Sequence, residues 1–166
     1  VLLRETDHRP DGASFLDELL AEGTIVSDAD LDDRVAAIDG EGVFAYLRAQ
    51  LPGFKHELRD HGAGAVSLLS VRGRPTRVFN VHLDTVPSSE AWTADPHVMR
   101  RFDDRVVGLG VCDIKGAAAG LIAAANVTDG DAAFLFSSDE EANDPRCIAA
   151  FLGSDDTILY GSCFNA

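Results

Sequence analysis

Two short runs set what this chain can fold into. Val78 to Val81, interrupted only by Asn80, leads directly into His82-Leu83-Asp84, and Ala132 to Phe136 leads into Ser137-Ser138-Asp139-Glu140-Glu141. Apolar runs of this length that stop at ionisable residues read as buried strands, and Pro87 halts any ladder soon after the first. Between the two runs, Lys115 to Ala125 is rich in alanine with Leu121 and Ile122, which predicts a helix able to pack closely on a sheet. Strands that alternate with helical stretches imply an α/β fold: a mixed, mainly parallel sheet flanked by helices as an α/β/α sandwich. Open sheets of this class carry their chemistry at the C-terminal ends of the strands, where both ionisable groups lie.

The flanking sequence extends the pattern. Ser14 opens a short capped helix through Phe15, Leu16, Leu19 and Leu20 that Gly23 ends. Ser27 to Asp33 is acidic but lacks the glycine and final glutamate of a calcium loop, so it reads as a solvated turn. Glu41 to Leu51 places Val43, Phe44, Leu47 and Leu51 at helical spacing before Pro52-Gly53. Phe54 to Leu58 and Ala65 to Val71 predict strands joined across His61 to Gly64, and Arg72 to Pro75 turns into the central strand. Ser88 to Arg105 is a long polar connection in which Trp92 reads as a packed anchor, and Asp103 to Gly108 predicts a turn and a short strand. After Asn143-Asp144-Pro145 comes a helix carrying Cys147, Ile148, Phe151 and Leu152, then a short strand over 157–160.

The 166 residues suffice for one domain, and no stretch approaches the roughly 20 apolar residues of a membrane span. A formal charge of -14 argues against nucleic-acid and anionic-membrane partners and favours metal cations. No basic-then-apolar leader opens the chain, so the expected location is cytoplasmic. Cys112, Cys147 and Cys163 are widely spaced without a CxxC pair and read as small apolar residues. Val1 in place of Met suggests a fragment of a longer chain.

Three stretches carry the chemistry. Residues two apart in a strand share a face, so His82 and Asp84 can converge, with Asp84 fixing the imidazole tautomer. The alternative is a strand-end histidine capping a turn. Gly108, Gly110 and Gly116 frame Asp113 at the entrance to the alanine-rich helix, where glycine lets backbone close tightly around an ion. A dinucleotide site is excluded by the absence of G-x-G-x-x-G spacing. Asp139-Glu140-Glu141 alone would be a solvated charge run. Together the stretches offer what a hydrolytic metal site requires: carboxylate oxygens, an imidazole and one carboxylate left over to move a proton. His56 and His61 read as strand and turn histidines.

These stretches, with Phe44 to Phe54 before them and Glu141 to Cys147 after, resemble the co-catalytic zinc deacylases, a family that includes acetylornithine deacetylase, succinyl-diaminopimelate desuccinylase, aminoacylase and related carboxypeptidases. The similarity runs over roughly residues 42 to 152 and is closest to the acetylornithine or N-acetylcitrulline deacetylase branch. By motif position the resemblance implies that Asp113 bridges two zinc (or cobalt) ions, His82 ligates one and Glu141 the other. Glu140 would be the general base and Asp84 would orient His82. The implied reaction hydrolyses a small N-acyl amino acid to acetate and the free amino acid.

The chain departs from the family pattern in two ligands. Ser162 stands at the expected position of a carboxylate ligand, and a distal histidine has no counterpart; His97 and His8 lack supporting spacing. The inserted dimerisation domain is also missing, so residues 1–166 are expected to be a single truncated catalytic domain that does not form the family homodimer. Two readings follow: a metal-dependent deacetylase, or a non-catalytic α/β domain keeping one weak cation site, or none, at His82, Asp113 and Glu141.

Overall fold

The computed structural model describes residues 25–26, 42–154 and 162–165. The helix expected at residues 14–20, the acidic run at 27–33, the strand at 157–160 and His8 lie outside the described residues. In chain order the elements are β1 (Ile25–Val26), α1 (Val43–Gln50), β2 (Lys55–Asp60), β3 (Val66–Arg72), β4 (Arg77–His82) and β5 (Asp84–Thr85). There follow β6 (Arg100–Arg101), β7 (Val106–Val107), an irregular turn over Val111–Lys115, α2 (Gly116–Asn126), β8 (Ala132–Ser137), α3 (Cys147–Leu152) and β9 (Ser162–Asn165).

Five strands form one sheet in the order β2-β3-β8-β4-β9. The sheet is mixed, as expected, with its pairings evenly divided: β2 with β3 and β3 with β8 run antiparallel, while β4 runs parallel to both β8 and β9. Side chains alternate between the two faces along each strand. Val66, Leu68, Val81, Phe134 and Phe136 join Phe44 and Leu47 of α1 and Ala118, Ala119 and Ile122 of α2 in one core cluster. Leu69, Val78, Ala133 and Leu135 turn the other way and pack with Phe151 of α3. Helices therefore cover both faces, which is why β8 is an unbroken apolar run rather than an alternating one. Small residues in α2 let its backbone approach the sheet, with Ala118 and Ile122 fully buried.

This topology brings the C-terminal ends of β4 and β8 side by side, with His82 opposite Ser137. The expected turn and strand after residue 102 form the hairpin β6–β7, closed by the Phe102 N–H donating to the Arg105 carbonyl at 2.8 Å. No helix among the described residues is long and apolar enough to cross a membrane. The apolar reading of the cysteines holds for Cys147, which is buried; Cys112 is exposed because it sits on the irregular turn rather than in the core.

Candidate metal centre

His82 is the last residue of β4, and its imidazole is nearly enclosed, with 8% of the side chain exposed. Nδ1 lies 3.0 Å from the main-chain oxygen of Asp84. A carbonyl oxygen only accepts, so Nδ1 carries the hydrogen and Nε2 is the nitrogen left to face the site. The tautomer is thus fixed chiefly by the Asp84 backbone; its carboxylate stands farther away, with Oδ1 3.6 Å from Nδ1.

The Asp84 carboxylate has a second task that its place beside His82 does not announce. It is fully buried and accepts the Glu140 N–H on Oδ1 at 3.2 Å and the Glu141 N–H on Oδ2 at 2.9 Å. The glutamate pair is thereby tied to the end of the neighbouring strand. Asp139 holds the other side of the same segment, its Oδ2 accepting the N–H groups of Arg146 at 2.6 Å and Cys147 at 3.1 Å where α3 begins. None of these four bonds was legible in the sequence, where Asp139, Glu140 and Glu141 look alike.

Asp113 arrives from the irregular turn. Gly110 begins that turn at φ 78°, and a Cβ there would lie 2.7 Å from Thr85 Cγ2. A Cβ on Gly116 would meet the Val111 carbonyl oxygen at 2.5 Å. Both glycines are required for close approach, and Gly110 also for its left-handed backbone. The turn sets Asp113 Oδ1 3.0 Å from His82 Nε2 while leaving the Asp113 side chain 73% exposed at the rim. Glu140 Oε2 is 3.9 Å from the same nitrogen. Ligating atoms of His82, Glu140 and Glu141 all lie within 4.8 Å of one another.

The five residues singled out in the sequence, His82, Asp84, Asp113, Glu140 and Glu141, thus meet at one rim of the sheet. Other candidates do not join them. His56 and His61 pair with Ser70 and Ser67 hydroxyls at 3.0 and 2.8 Å on the β2–β3 ladder. His97 is exposed in the connection after β5 and is not among the clustered ligand groups of the described residues. Ser162 pairs with Arg77 at the opposite end of β4. Five residues of strand, about 16 Å at roughly 3.3 Å each, separate its main chain from the level of His82, so it does not stand where the carboxylate ligand was expected.

Electrostatics bear on the charge this rim can hold. Burial pulls the His82 pKa down, but bonds to Asp84 and Asp113 outweigh it and push the value up to about 9. The Glu141 pKa is raised by burial and then by the neighbouring Glu140, Asp113 and Asp84 charges, against the attraction of His82. A cation among these carboxylates would relieve that repulsion. Two ligands about 2.1 Å from one tetrahedral ion lie about 3.4 Å apart, between the observed 3.0 and 3.9 Å separations from His82 Nε2. Donor type and spacing both fit a divalent metal.

Residues 78–160 match Peptidase family M20/M25/M40. The chain belongs to this family. Membership in the M20 metallopeptidases implies use of a divalent metal, in accord with the donor set at the rim. The N-acetyl-L-citrulline deacetylase of Xanthomonas campestris pv. campestris is 69% identical over 140 residues, covering 84% of this chain and 37% of the relative. A succinyl-diaminopimelate desuccinylase of Xylella fastidiosa is 37% identical over 79 residues, 42% of this chain and 21% of the relative. This M20 chain therefore spans about a third or less of the length of these relatives. Human carnosine dipeptidase 1 shares the fold, with a TM-score of 0.71 at 21% identity over 93% of this chain and 37% of that one. An M20 family metallo-carboxypeptidase of Sulfolobus solfataricus does so too, with a TM-score of 0.65 at 18% identity over 95% of this chain and 37% of that one.

Proposed function

We propose that the protein to which this chain belongs is a metal-dependent hydrolase of N-acyl amino acids, with N-acetyl-L-citrulline the first substrate to try. The observation that carries the reading is the convergence on His82 Nε2 of Asp113 at 3.0 Å and Glu140 at 3.9 Å, with Glu141 in the same cluster. Identity of 69% to a citrulline deacetylase supports the substrate and favours catalysis over a scaffold with a single weak cation site.

His82, Asp113 and Glu141 would hold the divalent ions, zinc or cobalt. Bound there, such ions polarise an amide carbonyl and lower the pKa of water. Glu140 is the carboxylate left to take a proton from water and return it to the amine as the C–N bond breaks, releasing acetate and the free amino acid. Asp84 keeps His82 in the tautomer that presents Nε2 and keeps Glu140 and Glu141 at their station. We assign the reaction to the cytoplasm and to arginine biosynthesis, the setting in which free citrulline would be consumed. The substrate class supplies the partner, a small acyl amino acid, and the charge of -14 argues against nucleic-acid and anionic-membrane partners.

The test strips the intact protein with a chelator, restores zinc or cobalt, and follows amine release from N-acetyl-L-citrulline. Turnover should vanish and return with the metal. Glu140→Gln should lower kcat by about 10²–10⁴-fold while metal content stays the same. Turnover indifferent to metal removal, or an unimpaired Glu140→Gln enzyme, would refute the assignment.

A further inference from the structure

Beside the metal rim lies a pocket of about 190 Å³ that the reaction scheme leaves unused. One wall is the turn between β2 and β3 at Ala63 to Ala65, and the other is the segment after β8, with Asp139, Ala142, Asp144 and Arg146. Glu140 and Glu141 stand between Asp139 and Ala142 in the chain and belong to the metal cluster, so one short segment serves both the cluster and the pocket. Ser138 fastens the two walls together. Its Oγ accepts the Val66 N–H at 2.9 Å and donates to the Gly64 carbonyl at 3.3 Å, so the pocket is built before any ligand arrives.

The polar groups of this pocket are under-used. Asp139 is 6% exposed; its Oδ2 accepts the Arg146 and Cys147 N–H groups, while Oδ1 is buried with no hydrogen-bond partner among the described residues. The Cys147 thiol, which burial and Asp139 keep protonated, offers that carboxylate only a weak donor. A buried carboxylate oxygen left unpaired is costly, so a donor that enters the pocket gains by meeting it. At the exposed end the Arg146 guanidinium reaches toward the β2–β3 turn, with Nη1 3.6 Å from where a Cβ on Gly62 would stand. Its ion pair with the exposed Asp144 is long, at 3.5 Å, and takes up a single nitrogen of the fork.

An acceptor at the inner end and a donor fork at the outer end select a chemical class. An ammonium has no acceptor for the guanidinium, a carboxylate has no donor for Asp139, and an aliphatic end has neither. A ureido group carries a carbonyl oxygen and N–H donors on one planar frame, without a charge whose burial would be costly. In an acylated citrulline the ureido carbon stands roughly 6 Å from Cα when the chain is extended, enough to leave the metal rim and enter a pocket that begins one residue away.

We propose that this pocket is the side-chain subsite for a ureido substrate, with Arg146 donating to the ureido oxygen and Asp139 Oδ1 accepting from its N–H groups. The inference rests on the hydrolase reading above and deepens it, by assigning the preference for a ureido side chain to two named residues.

The experiment compares kcat/KM of the intact, metal-loaded protein on N-acetyl-L-citrulline, N-acetyl-L-ornithine and N-acetyl-L-norleucine, whose chains end in a ureido group, an ammonium and a methyl group. Wild type should favour the citrulline compound over the norleucine compound by at least about tenfold, the worth of a hydrogen bond to a charged group. Arg146→Met should cut the value for the citrulline compound by about 10–100-fold and that for the norleucine compound by less than about threefold. This variant changes an exposed side chain and leaves the main-chain N–H bonded to Asp139, so the fold is not at risk. Asp139 also anchors the segment, so Asp139→Asn is read through the citrulline-to-norleucine ratio, which a general loss of activity leaves unchanged. That ratio should fall by about 10–100-fold.

Equal losses on all three substrates in Arg146→Met would mean that the guanidinium serves the α-carboxylate they share, and would overturn the proposal. A ratio unchanged in either variant, or a wild type that prefers the ornithine compound, would overturn it as well. If wild type hydrolyses none of the three, the hydrolase reading fails and takes this inference with it, an outcome told apart from the others by the wild-type measurement alone.

Discussion

At His82 two ligands compete for one nitrogen. Nδ1 is committed to the Asp84 carbonyl, so a proton and a metal ion must share Nε2, and the neighbouring carboxylates hold the metal-free pKa at about 9. Zinc binding near pH 7.5 should therefore expel close to one proton from His82, and the number should fall toward zero above pH 9. Calorimetry in two buffers of different ionisation enthalpy reads this number directly; no release at pH 7.5 would contradict either the ligation by His82 or its raised pKa. The same shift bears on folding. A histidine whose folded pKa lies above its unfolded value of about 6.5 contributes stability that is complete below pH 6.5 and lost as pH rises through 9. Lys115 has the opposite sign: burial, against the pull of Asp84, lowers its pKa to about 8, so between about 8 and 10.5 the unfolded chain holds more protons and stability rises with pH. Burial also lowers the pKa of His56, which raises stability as pH passes about 6.5, so chelator-treated protein should lose stability most clearly from about pH 7.5 to 8, then level off. Urea midpoints across that range check the sign.

At the scale of elements, the site is an agreement among three strand or turn ends, and the turn is the most exacting. Gly110→Ala must accept a left-handed backbone and a Cβ 2.7 Å from Thr85 Cγ2. The first costs about 1–2 kcal/mol and the second adds about 1–3 kcal/mol of overpacking. Chemical denaturation should show a loss of that order, with zinc affinity falling because Asp113 is displaced; an unchanged midpoint would mean that the turn is pliant. The strands were legible because both sheet faces are covered. Ala132 to Phe136 is apolar at every position, and the expected 132–136 became β8 at Ala132–Ser137. Helices α1 and α2 were legible from spacing and alanine content, each shorter or shifted by a residue or two at its ends. Convergence of His82, Asp113 and the glutamates followed from strand ends meeting on one rim. The inner scaffolding was not legible. Lys115 reads as an ordinary charge at the start of a helix, and only the tight turn beneath Gly110 buries it. Asp84 reads as a partner of the His82 ring, yet its oxygens reach residues 56 and 57 positions away. The even split between parallel and antiparallel pairings depends on which strands lie side by side, and periodicity does not encode that.

Across the whole molecule, one domain-sized sheet presents an acidic rim formed where β4 and β8 end together. The net charge of -14 and the crowding of Asp113, Glu140 and Glu141 around one imidazole both favour a cation there. Nothing in this arrangement requires the remaining two-thirds of the relatives' length to bring His82 and Asp113 together, since both come from elements packed on the same core. The central claim is that these side chains share a metal, and anomalous diffraction at the zinc edge from zinc-loaded crystals of the intact protein tests it most directly. A peak about 2.0–2.2 Å from both His82 Nε2 and an Asp113 oxygen is the expected result. No peak at saturating zinc, or a peak elsewhere with His82 still bonded to Asp113, would contradict it.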